Sequence, residues 1–388
     1  MTSQSVAPSR YHALDSLRAA MMFLGIYLHV VVAYSPRGGW PLKLPPLTSA
    51  LDVTATLIHV FRMPVFYVMA GFFAALLYQR YGLRRAAENR FQRIVVPFVV
   101  GWLILFPLQI VLAGPVQYGW SRVWDGIVSG RVLAYVHPMH LWFLEYLVVL
   151  YLLAVVVGYA VVKLVPSGAQ VLFMVVFRRA AASLWAPLLF TVPSFLALLP
   201  MKWPGLEDPP SFLPTARIVI AYAIPFAFGW LLFLNADLLD TLRRRAWVYT
   251  LLAAIPCALY PWLMGAPIDR DVAFYGARAA HSLALWLLIY GITGLFLRYF
   301  EGYNPLLRYL CDSSYFLYVA SMPVIMSFQL LLMNTGWPPL LKIAVNLAGS
   351  VAVLLVMYRY AVRPTFIGEA LNGRRYSLRS IPAVAAAS

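Results

Sequence analysis

Residues 14–34 read Leu14-Asp15-Ser16-Leu17-Arg18-Ala19-Ala20-Met21-Met22-Phe23-Leu24-Gly25-Ile26-Tyr27-Leu28-His29-Val30-Val31-Val32-Ala33-Tyr34. The stretch is long enough to cross the ~30 Å hydrocarbon core of a bilayer, which takes about 20 apolar residues in a helix. It carries charges and lacks a small-residue cleavage site, so it reads as a first membrane span and not as a removable leader. Nine further stretches of similar character follow, at about 52–79, 94–114, 140–163, 183–201, 214–234, 246–265, 274–298, 313–333 and 340–361. The sequence therefore predicts an all-α, polytopic integral membrane protein of about ten transmembrane helices. The fifth stretch is the weakest, because Pro187, Pro193 and Pro200 punctuate it. Prolines are tolerated in spans where neighbours satisfy the freed carbonyl.

Composition agrees. Of 388 residues, 62% are hydrophobic and 11% charged. A soluble domain is about half apolar and a quarter charged. The net charge of +16 is spread between spans and forms no separate domain, which argues against a nucleic-acid partner. Its distribution gives an orientation instead. With the N-terminus inside, the cytoplasmic segments hold nineteen basic residues, among them Arg10, Arg84, Arg85, Arg243, Arg244, Arg245, Arg374 and Arg379. The opposite loops hold six: Arg37, Lys43, Arg122, Arg131, Lys202 and Arg270. Basic residues concentrate on the cytoplasmic side of membrane proteins, so both termini are expected there. The segments are then a cytoplasmic tail (1–13), a transmembrane domain (14–363) and a second cytoplasmic tail (364–388), expected to be partly disordered. The connection at 115–139 is long enough for a small extramembrane helix. Trp40 and Trp120 suit an interfacial aromatic belt. Cys257 and Cys311 lie in spans that are not neighbours in sequence, so no disulfide is expected.

A charge inside the bilayer is costly and usually faces the bundle interior. Arg18 and His29 are eleven positions and about three turns apart, ~16 Å along one helix face. His59 and Arg62 in the second span are i and i+3, as are Arg278 and His281 in the eighth, so each pair shares a face. His29 and His59 are expected at comparable depth in adjacent antiparallel helices. Arg90 and Arg93 enter the third span one turn apart. Such a pair can fork onto phosphate oxygens, and it also serves as an ordinary positive-inside cluster. Glu145 lies about a turn and a half into the fourth span. His137 and His140 have a spacing that can seed a metal site, but two ligands flanking a proline make a weak fragment, and no metal is expected. Any one histidine reads as a packing residue as readily as a functional one; the whole set points to intramembrane function.

These residues carry a resemblance. Leu14-Asp15 followed by Arg18 and His29, Phe61-Arg62-Met63-Pro64-Val65-Phe66 leading to Ala70-Gly71-Phe72-Phe73, Arg90-Phe91-Gln92-Arg93 before Pro97, His140-Leu141-Trp142-Phe143-Leu144, and Ser314-Tyr315-Phe316-Leu317-Tyr318 occur in that order. The ordered set resembles the membrane-bound acyltransferase family 3. The stretches His59 to Phe73 and Phe228 to Arg245 look most like its osmoregulated periplasmic glucan succinyltransferase branch. One position departs: where family members often have a histidine before the proline that follows the Ser-Tyr motif, this chain has Ser321.

The resemblance implies O-acyl transfer in the cell inner membrane. The acyl group, succinyl or acetyl, passes from cytoplasmic acyl-CoA to a hydroxyl of an extracytoplasmic carbohydrate. A periplasmic glucan is the expected acceptor, with lipopolysaccharide or another surface glycan as alternatives. Acyl-CoA is then a substrate, and no permanently bound cofactor is expected. Arg18, Arg90 and Arg93 would hold the CoA phosphates. His29, whose ordinary pKa is about 6.5, would be the general base. Arg62 would stabilise the oxyanion or hold a succinyl carboxylate, and Glu145 would orient a histidine. Asp52, His59, Arg278, His281 and Trp142 complete the expected substrate-contacting set. A proton-coupled transporter or flippase is the competing class, since embedded His, Arg and Glu suit it too. Carriers usually show repeats and matching broken helices, and the sequence shows no convincing repeat.

Overall fold

The structure is a computed structural model describing residues 11–36, 39–373 and 375–376. Arg10, Arg37, Arg374 and Arg379 of the loop-charge count lie outside the described residues, as do 377–388. Every regular element among the described residues is helical. In chain order these are α1 (His12–Val31), α2 (Ser49–Arg90), α3 (Val96–Tyr118), α4 (Trp120–Val128), α5 (Trp142–Leu164), α6 (Ser167–Ala182), α7 (Ala186–Leu198), α8 (Ala216–Leu234), α9 (Leu238–Leu252), α10 (Ala254–Leu263), α11 (Arg270–Tyr299), α12 (Pro305–Met333), α13 (Pro339–Met357) and α14 (Phe366–Asn372). With no water to satisfy the backbone inside a bilayer, closing every N–H within its own helix is one of the few solutions available to such a chain.

Among the described residues, eight helical stretches are long and apolar enough to cross a membrane, or nine if α6 and α7, bent by 114° at their junction, form one span. One stretch, Ser49–Tyr118, runs 70 residues. It is interrupted at Gly82, whose φ of 75° and ψ of 172° leave the helical region. That left-handed φ is readily reached only without a Cβ. A wide π turn over Phe91–Val95 follows and hands the chain to α3. The expected fifth span differs most. The helix there covers only Ala186–Leu198, 13 residues, because Ser183 breaks from helical geometry and α6 departs at a steep angle.

Buried glycines set the close crossings. A Cβ on Gly71 of α2 would collide with the Phe226 carbonyl of α8, and one on Gly229 of α8 with the Val68 carbonyl of α2. Gly291 and Gly294 of α11 pack in the same way on Thr250 and Leu242 of α9. Small residues that let backbones approach are the usual adhesive between membrane helices, since lipid supplies no hydrophobic drive. α1 lies in the middle, against α2, α11, α12 and α13, so what α1 carries is presented to the bundle interior.

The cysteines are both free. The connection after α3 does carry a short helix, the nine-residue α4. Beyond residue 364 the expected disordered tail is partly replaced by α14, which lies against the π turn at 91–95 and against α12.

Candidate active site

Polar side chains gather at two opposite ends of α1. At the N-terminal end, Arg18 pairs with Asp15 at 3.2 Å. Arg308 reaches Asp312 at 2.7 Å and Asp15 at 4.0 Å. The Arg90 guanidinium lies 5.1 Å from the ring centre of Tyr151, and its Nε is buried with no hydrogen-bond partner. Arg93 feels the charges of Arg90 and Arg18, its backbone carbonyl accepts from the Tyr315 hydroxyl at 2.7 Å, and its guanidinium presses on Gly373 after α14. Arg18, Arg90 and Arg93, of which Arg18 alone has a carboxylate partner among the described residues, form a cationic mouth. The π turn widens the backbone beside Arg90 and Arg93; such turns are often found at functional sites.

At the other end of α1, the His29 ring stacks on Trp40, with centres 5.4 Å apart and planes 21° off parallel. His140 approaches His29 edge-on at 6.2 Å. Trp40 donates from Nε1 to Gln329 at 3.0 Å, and Gln329 donates to the His29 carbonyl at 3.3 Å. His29 is thus gripped from two directions. The strap carrying Trp40 is pinned in turn. Leu44 N–H donates to the Ala33 carbonyl and Thr48 N–H to that of Tyr34, both at 2.9 Å. Lys43 donates to the carbonyls of Ser35 at 2.8 Å and Val32 at 3.3 Å, where the dipole of α1 favours a cation.

Arg62 sits inside the bundle, 6% exposed. Its guanidinium occupies the space a side chain on Gly25 would need. Gly25 is one turn before His29, so Arg62 lies beside His29 on the same face of α1. Arg62 Nε, His29 Nδ1, His140 Nδ1 and the Tyr67 hydroxyl are all buried without a protein hydrogen-bond partner. Buried polar atoms are nearly always satisfied, so a group of such orphans marks a place prepared for something else. His59 is in electrostatic reach of His29, Arg62 and His281.

The other expected residues divide. His281 packs edge-on to Tyr260 at 5.3 Å, with its Nδ1 also unpartnered. Arg278 is committed to the loop after α7, donating to the carbonyls of Leu199 (3.2 Å), Met201 (2.9 Å) and Trp203 (3.3 Å). Asp52 accepts from the Ser35 hydroxyl at 2.5 Å and so anchors the strap. Trp142 lies among Tyr146 and Tyr222 in a buried aromatic layer. Glu145 is buried with Oε2 unpartnered and makes no hydrogen bond to a histidine among the described residues. His137 and His140 part company: His137 turns to the Tyr135 carbonyl at 2.9 Å, and His140 to that of Val319 at 3.1 Å.

Sequence reasoning missed four members of this site. Trp40 reads as a belt residue, yet it stacks on His29. Gln329 gives no signal at all. Asp208, in the loop before α8, brings a carboxylate to His59 and Arg62. His140 reaches the turn of α12 that carries Tyr318 and Ser321, and Tyr318 donates to its carbonyl at 2.7 Å. His140, just before α5, thus borders the turn that carries Ser321. The signal was present in His140-Leu141-Trp142, where spacing alone suggested only metal.

Comparison with known proteins bears on this geometry. The model of the acyltransferase domain family matches residues 11–359. Glucans biosynthesis protein C of Shigella dysenteriae and that of Escherichia coli K12 are each 33% identical over 153 residues, covering 39% of this chain and 39% of the relative. The matched stretch thus spans about two fifths of those relatives. No solved structure matches.

Proposed function

Because the chain belongs to the acyltransferase family and is an acyltransferase built of membrane helices, we propose that it conducts O-acyl transfer across the bilayer, from cytoplasmic acyl-CoA to an extracytoplasmic carbohydrate. One observation carries the reading. A single helix, α1, carries Arg18 of the cationic mouth at one end and a histidine with an unpartnered ring nitrogen at the other. In this reading the 70-residue stretch is two crossings, α6–α7 is one, and ten spans leave both termini in the cytoplasm. The mouth of Arg18, Arg90 and Arg93 faces the cytoplasm, and the protein resides in the inner membrane.

The chemistry then runs as follows. Arg90 and Arg93 hold the CoA phosphates, and the pantetheine arm enters between α1, α3 and α12. His29 removes the proton of the acceptor hydroxyl as its oxygen attacks the thioester carbonyl. The tetrahedral oxyanion is stabilised by Arg62 in a water-poor site, where such an interaction is strongest. The C–S bond breaks, the ester remains on the sugar, and the imidazolium returns its proton to the departing thiolate. Trp40 and Gln329 fix the base, a role in which a 1 Å displacement can cost about 10²-fold in rate. The partial likeness to glucans biosynthesis proteins supports a glucan acceptor and, with Arg62 available for a second carboxylate, a succinyl donor.

The test is a purified-protein assay in nanodiscs with succinyl-CoA or acetyl-CoA and extracted periplasmic glucan. Free CoA should appear only when glucan is present, with ester on the glucan by mass spectrometry. Absence of both products with either donor would sink the reading.

A further inference from the structure

A groove of about 900 Å³ opens beside Trp40, between α3, α4 and the connection that follows α4. We propose that this groove holds the carbohydrate acceptor chain, with the reacting sugar at the Trp40 end. The inference rests on the acyl-transfer reading above and adds where the acceptor lies. Trp40 borders the groove and also stacks on His29, so the groove and the base share a wall one ring thick.

The lining has the chemistry of a sugar site. A pyranose ring presents an apolar C–H face edged by hydroxyls. Trp40, Tyr118 and Tyr135 supply flat apolar surfaces with polar edges. Gln109, Arg122 and Asp125 supply planar groups able to take two hydroxyls each. The Oε1 of Gln109 is buried with no protein partner, an acceptor reserved for a donor that arrives in the groove. A lipid chain would have no use for these polar groups, to which Arg131 adds a second guanidinium. The volume is near the top of the ~300–1,000 Å³ range of small-molecule sites, room for more than one sugar ring.

The roof is built to stay open at the membrane surface. Trp120, Trp124, Ile127 and Val128 of α4 are exposed, and at spacings of four, seven and eight they form one face. Such a face lies in the headgroup layer with its apolar side toward the acyl chains. A flank of α4 meets α3, where Val123 seats against Gly114 with no room for a Cβ between them. Gln117 of α3 donates to the Pro41 carbonyl, tying the strap to the groove floor.

The test uses intact protein in nanodiscs and linear β-linked glucose oligosaccharides of graded length. Saturation-transfer NMR without donor should show sugar contact in the wild type, and Tyr118→Ala, Arg122→Ala and Asp125→Ala should each weaken it. In the coupled assay the same variants should raise the acceptor KM by about tenfold or more, the loss expected for one good contact, and leave the acyl-CoA KM unchanged. Tyr118, Arg122 and Asp125 lie at the surface, so thermal stability should hold. No sugar contact in the wild type, or contact and acceptor KM unaltered in all three variants, would overturn the groove. Groove-dependent sugar contact with no acyl transfer by the wild type would uphold the groove and defeat the transfer reading instead.

Discussion

His29, Gly25 and Arg62 form a unit whose parts can be separated by mutation. His29→Ala should abolish transfer while expression and melting temperature in detergent stay near wild type, because a histidine-to-alanine change removes no main hydrogen bond of the core. Unchanged turnover would remove His29 from the mechanism. Gly25→Ala is the subtler probe. Its added methyl meets the Arg62 guanidinium, which must move off the His29 face. The expected result is a kcat loss of 10²-fold or so with little change in either KM; full activity would show that Arg62 is not the oxyanion partner. At this scale the sequence was half legible. Arg18, His29, His59 and Arg62 could be picked out because charge inside an apolar run is rare and expensive. Trp40 and Gln329 could not. They are 289 positions apart and ordinary in their local context, and only the tertiary fold brings them to the imidazole. Arg278 shows the converse: conspicuous in sequence, it spends three donors on backbone carbonyls of a loop.

Among elements, the crossing of α2 with α8 is the most constrained. Gly71→Val or Gly229→Val should destabilise the bundle by ~1–3 kcal/mol through overpacking, read as a lower melting temperature in nanodiscs, whereas Gly158→Val on an open face of α5, where nothing lies within 4 Å, should be neutral. Equal effects at the two kinds of site would refute backbone approach as the cause. Helix positions were readable from run length because lipid demands about 20 apolar residues. The 114° bend between α6 and α7 was not. Beside it Arg178 of α6 pairs with Asp237 at 2.8 Å and Arg245 of α9 donates to the Ala182 carbonyl at 2.7 Å, contacts that no periodicity encodes. The π turn at Phe91–Val95 was equally silent, yet it follows Arg90 and contains Arg93 of the cationic mouth.

For the molecule as a whole, orientation is the prediction of widest reach. In an otherwise cysteine-free background, Ser129→Cys should label with a membrane-impermeant maleimide from outside intact spheroplasts. Arg85→Cys should label only after permeabilisation. The reverse pattern would invert the donor and acceptor faces together.

The cationic mouth and the His29 end of the bundle are both touched by α12. Tyr315 touches the Arg93 carbonyl and Tyr318 that of His140, and these tyrosines are three positions, ~4.5 Å of helix, apart. If water fills both ends, the membrane voltage falls across the packed layer between them, to which these tyrosines belong. Moving one charge through 100 mV is worth about 2.3 kcal/mol. An anionic succinyl group leaving a negative interior would gain from this focused field, whereas neutral acetyl would not. In proteoliposomes, succinyl transfer should therefore quicken when the donor side is made electrically negative with potassium and valinomycin, and acetyl transfer should be indifferent. The enzyme would then be a catalyst whose choice of acyl group is tied to the energised state of the membrane.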